Sequence, residues 1–107
     1  MTKAVGLLEV QGYSVALAAM DKACKAANIT IDGMDVNNPT QGDHAPIPVV
    51  VQVKFSGSIS DVEVALEVAR HEASKYIAEN EILTRLIPSA MKELEKLLVA
   101  GKVKPKW

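Results

Sequence analysis

Between Lys3 and Ile31 the chain changes its apolar period once and then changes it back, and that switch limits the folds open to it. Val5, Leu7 and Glu9 alternate with Gly6, Leu8 and Val10 until Gly12 interrupts them, as a short strand ending in a tight turn would. From Tyr13 the apolar residues recur at Tyr13, Leu17, Met20, Cys24 and Ala27, steps of three and four that predict a helix with this stripe turned inward. Five further alanines, at 16, 18, 19, 23 and 26, favour the helix and allow close backbone approach. Asn28 ends it, and Ile29-Thr30-Ile31 opens a second strand that continues to Val36.

The remainder repeats this plan. Val49 to Phe55 is β-branched at four of its first five positions and reads as a central strand. Ser58-Ile59-Ser60-Asp61 has capping-box spacing, with Asp61 in the place of the usual Glu, and sets a helix start at Ser58 or Ile59. Ile59, Val62, Leu66, Ala69, Ala73 and Tyr76 form its expected buried stripe, with Glu72 on a wetter side, and the helix is expected to run to Glu79-Asn80. Ile82 to Ile87 is a fourth strand stopped by Pro88, and a third helix is expected over about residues 90–99. The order β-α-β-β-α-β plus a C-terminal helix is an α+β, ferredoxin-like split βαβ sandwich, with an antiparallel sheet carrying its first two helices on one face.

The strand V-G-L-L-E-V-Q-G, the small-residue helix and the run D-K-A-C-K-A-A-N-I-T-I resemble, in order and spacing, the opening of the bacterial microcompartment (BMC) shell domain. The likeness extends through Val49–Val53 and the helix after Ser58 to Ile87-Pro88. It implies a structural shell subunit and not an enzyme: a cytoplasmic homohexamer that tiles with other shell proteins of a microcompartment and passes small metabolites through a central pore. Lys25 and Asn28 match the K-A-A-N motif, whose Lys lies at the hexamer edge in shell proteins. At Ser89 the family commonly has an Arg that helps hold hexamers together; its loss leaves Arg85 or Lys92 to compensate. The long connection Asn37–Pro48 stands where relatives carry the turn that rings the sixfold axis, which makes Gly42, Asp43, His44 and Ala45 the expected pore lining. Some divergent relatives bind an iron-sulfur cluster through a Cys in that loop; none is present here, so no cluster, metal or other cofactor is expected.

Composition agrees with a small self-associating domain. With 107 residues there is room for one core, expected over residues 1–100 with a basic tail at 101–107. Only four aromatics serve a hydrophobic fraction of 49%, so small aliphatic residues fill that core and burial against copies is expected. A net charge of −1 with interspersed signs gives no footprint for nucleic acid. No apolar run suits a membrane span. The two histidines and one cysteine form no catalytic constellation, and Cys24, placed inward by its stripe, is expected to be a slow thiol. A rival reading from the same strand order is a trimeric ferredoxin-like regulatory protein that binds a small effector between subunits. Against it, Asn37–Pro48 holds no Lys or Arg to meet a phosphate.

Overall fold

The computed structural model describes residues 3–37 and 50–89. Its elements are β1 (Ala4–Gln11), α1 (Tyr13–Ala26), β2 (Ile29–Asn37), β3 (Val50–Gly57), α2 (Ile59–Ala73) and β4 (Ile82–Ile87). A short 3-10 turn at Glu79–Glu81 leads into β4. The sheet order is β2-β3-β1-β4 and every pairing is antiparallel. This is the expected split βαβ arrangement, with the third helix and the tail outside the described residues.

Gly12 makes the first reversal with φ 101, a conformation that side chains resist, and its carbonyl accepts the Ala16 N–H at 3.2 Å to start α1. Ser58 starts α2 as the S-x-x-D pattern predicts. Its hydroxyl accepts the Asp61 N–H at 3.2 Å and donates to Asp61 Oδ2 at 2.8 Å.

The core lies between the helix pair and one face of the sheet. Leu8, Val10, Val51, Val53 and Phe55 supply the sheet side and Val62 the helix side, all fully buried. Ala16, Ala19 and Ala23 of α1 and Ala65, Ala69 and Ala73 of α2 are buried in the same cluster, so the helices approach through methyl groups. Phe55 fits because its neighbour on β1 is Gly6, whose hydrogen faces the ring.

Four expectations are corrected. The inward face of α1 is Ala16, Ala19, Met20 and Ala23, whereas Tyr13, Leu17 and Cys24 are exposed. Close packing selects the small side of the helix and turns the larger side chains to its flank. Likewise, of the stripe expected on the second helix, Ile59 is exposed on α2 and Tyr76 is exposed beyond its end, while the other four residues are buried. The helix stops at Ala73, and Glu72, expected on a wetter side, is only 6% exposed. Lys75 Nζ sits 3.0 Å from Glu72 Oε1 and the Tyr76 hydroxyl donates to Oε2 at 3.0 Å, so the turn after α2 folds back onto this carboxylate. Those two hydrogen bonds hold the carboxyl below its ordinary pKa against the opposing effect of burial.

Two outcomes follow. A β-carbon at Gly6 would stand 2.5 Å from Phe55 Cε2 and 3.0 Å from Val62 Cγ1. Gly6→Ala therefore costs about 1–3 kcal/mol in a urea titration. For Glu72, a depressed native pKa means that the unfolded state takes up protons first, so its contribution is present above the ordinary glutamate value of 4.5 and is lost as pH falls through the native one. The urea midpoint of Glu72→Gln falls less steeply than wild type over that acid range; parallel curves would show that another carboxylate governs it.

Candidate functional site

The strand register sorts the candidate residues to two ends of the sheet. Ala4 and Ile29 both pair with Gly57, and Val5 pairs with Ile87. At this end lie the last turn of α1, the start of β2, the start of α2 and the residues after β4. It thus gathers Lys25, Asn28 and Ser89. At the other end Val50 pairs with both Gln11 and Asn37, and Val10 with Ile82. Asn37 and Val50 flank 38–49, so Gly42, Asp43, His44 and Ala45 are attached to that end but lie outside the described residues. Eight residues of β1 separate the two ends, on the order of 25 Å at the rise of a strand.

Lys25 is exposed on α1, with its ammonium 2.9 Å from Asp21 Oδ2 and side-chain exposures of 72% and 57%. A pair this wet adds under about 1 kcal/mol, so the ammonium is free to exchange Asp21 for another acceptor. Asn28 is exposed, and its backbone N–H donates to Asp61 Oδ1 at 3.2 Å. One carboxylate thus holds the capping hydroxyl of Ser58 and pins the K-A-A-N turn against the start of α2. The sequence reading found the cap but missed this second duty, which joins residues 33 apart. A cleft of about 380 Å³ opens here, lined in part by Lys3, Asn28, Thr30, Ser56, Ser58 and Asp61. Ser89 is exposed. Arg85, weighed as compensation for it, sits farther down the strand opposite Leu7, on the helix-free face, and not at this end.

At the loop end a second cleft of about 270 Å³ is lined by Glu9, Gln11, Val50, Asn80, Glu81 and neighbours. Gln52 Nε2 donates to Glu9 Oε1 at 3.4 Å beside it, and Glu81 Oε1 accepts the Ala78 N–H at 3.0 Å. The sequence reading did not single out this polar lining. Its signal, Glu9 and Gln52 amid the apolar residues of two strands, is visible only once β1 and β3 are paired.

Cys24 is exposed near the Lys25 end. Partial burial, and then the negative charge of Asp21, push its thiol up from the ordinary value. The thiol is therefore protonated at neutral pH as expected, although it is not inside. Among the described residues no group of three or more His, Cys, Asp or Glu side chains is placed to hold a metal ion. No described helix is long and apolar enough to cross a membrane.

A comparison with curated proteins finds no match. Among solved structures, a crystal structure of a microcompartment protein from Desulfitobacterium hafniense aligns with a TM-score of 0.70 at 16% identity. The alignment covers 98% of this chain and 51% of that one, so this chain spans about half its length. That likeness is one of fold. A profile of the BMC domain matches residues 4–90, a span that contains all six helices and strands described above. The chain therefore belongs to the BMC domain family, the shell domain of bacterial microcompartments.

Proposed function

We propose that this shell subunit closes into a homohexamer, with the end bearing residues 38–49 at the sixfold axis and the Lys25 end at the rim. The separation of these two groups of residues to opposite ends of one sheet carries the reading. A loop placed near an axis appears six times around one opening. A lysine at the rim is available to the next hexamer, and the weak hold of Asp21 on Lys25 leaves it free to make that contact.

In this arrangement Lys25 and Asn28 act in tiling, with other shell proteins of a cytoplasmic microcompartment as neighbours. Ser89 adds no charge at the rim, which leaves the lateral contact more dependent on Lys25. Gly42, Asp43, His44 and Ala45 surround the pore through which small metabolites pass. Six Asp43 carboxylates give it a negative potential that favours cations. His44 opposes this as its imidazoles charge with pH falling toward about 6.

Native mass spectrometry of the full chain is expected to give six times the 11.5 kDa chain mass. A monomer or trimer at micromolar concentration would defeat the reading. Lys25→Ala keeps the hexamer and weakens two-dimensional sheets seen by electron microscopy; sheets as extensive as wild type remove Lys25 from the contact. Asp43→Asn lowers the cation preference of hexamers reconstituted as channels in a planar bilayer, and an unchanged reversal potential places Asp43 away from the pore.

A further inference from the structure

We propose that the cleft at the Lys25 end of the sheet binds a small phosphate-type oxyanion, held by Lys3, Ser56 and Thr30 beside the first turn of α2. The site is formed within one chain and does not depend on the ring.

Alternation along the strands brings these three side chains together. Phe55 faces the helices, because a β-carbon on its β1 neighbour Gly6 would meet the Phe55 ring. Ser56, the next residue, therefore turns to the face without helices. Thr30 stands opposite it on β2 and Val5 on β1. Lys3 precedes Val5 by two and takes the same side. Lys3, Thr30 and Ser56 all line the cleft of about 380 Å³ that opens at this end.

Ser56 is what calls for a ligand. It is only 3% exposed, yet its hydroxyl makes no hydrogen bond to any described residue. A buried hydroxyl is normally partnered, because burial takes away the water it would otherwise bind. The hydroxyl of Thr30, across the strand pair, is likewise unbonded among the described residues. Lys3 is exposed and stands in no ion pair with a described residue. One ammonium and two hydroxyls on one wall thus offer donors that the chain itself does not use.

The end wall adds to them. The first turn of α2 lies here, where the Ser58 hydroxyl accepts the Asp61 N–H at 3.2 Å and the Ser58 carbonyl accepts the Val62 N–H at 2.9 Å. The N–H groups of Ile59 and Ser60 have no acceptor within the helix. Such a terminus carries the equivalent of about half a positive charge and favours anions. Asp61 is the negative group on the cleft wall. Both of its oxygens are engaged, Oδ1 by the Asn28 N–H at 3.2 Å and Oδ2 by the Ser58 hydroxyl at 2.8 Å, and Lys3 together with the helix terminus outweighs its charge. A tetrahedral oxyanion offers a separate oxygen to each of Lys3, Thr30 and Ser56, whereas a carboxylate has two to divide among them. The cleft has room for the free ion and for the remainder of a small phosphate ester.

Broadening of the phosphorus NMR line of inorganic phosphate by the full chain reads the site directly. At constant ionic strength the broadening is expected to saturate, and to be reversed by sulfate and not by chloride. Lys3→Gln and Ser56→Ala each weaken the binding by about tenfold or more, as the loss of a hydrogen bond to a charged group does. Lys22→Gln removes the same charge from a side chain outside the cleft and binds as wild type. Circular dichroism confirms folding, and Thr30→Val reads the same wall if Ser56→Ala loses its helical signal. Glycerol phosphate tells the two sources apart: displacement of phosphate at lower concentration than sulfate assigns an ester, and at higher concentration the free ion. The proposal is overturned by broadening that never saturates, by a folded Lys3→Gln or Ser56→Ala variant that binds as wild type, or by a Lys22→Gln variant that loses binding as much as Lys3→Gln.

Discussion

The close approach of α1 to α2 through alanine methyl groups governs the rest of this molecule. Ala16, Ala19 and Ala23 of α1 share one buried cluster with Ala65, Ala69 and Ala73 of α2, and Phe55, Val51 and Val53 of β3 complete it. A glycine at position 6 follows from the same crowding, because Phe55 needs the room where its side chain would be. Such a core is dense but contains few large residues. Tyr13, Leu17, Ile59 and Leu86 are left outside, and a domain of this size gains by covering them with another protein surface.

That constraint also separates what was legible in the sequence from what was not. The strand and helix order, the Gly12 turn and the Ser58 cap were legible because each depends on neighbours within four residues. The phase of α1 was not. Its apolar period was read correctly, but the larger residues Tyr13, Leu17 and Cys24 were assigned to the core and the alanines to helix propensity. The structure inverts that choice, turning the stripe roughly a quarter turn. Size is a guide to burial when a helix packs on large neighbours. It misleads when the partner is itself lined with alanine. The buried Glu72 was missed for a related reason, since its partners Lys75 and Tyr76 come from a turn that the reading had kept helical.

The candidate site was legible only through the K-A-A-N likeness; periodicity alone makes Lys25 an ordinary surface lysine. Pairing adds its setting, from the backbone bond of Asn28 to Asp61 to the gathering of Lys25, Asn28 and Ser89 at one end of the sheet. Long-range register of this kind is absent from any local pattern. It also gives the subunit two distinct ends, and the ring proposed above sets the loop end at the axis and the Lys25 end at the rim.

That placement is open to a distance measurement. In a Cys24→Ser background, spin labels placed at Asn37 report the loop end and labels at Lys25 the opposite end, on hexamers in solution. In a six-membered ring the nearest-neighbour distance equals the radius, so radii differing by the length of the sheet separate the two sets by on the order of 25 Å. The account predicts the shorter distances at Asn37. Equal distances, or the shorter set at Lys25, would contradict it.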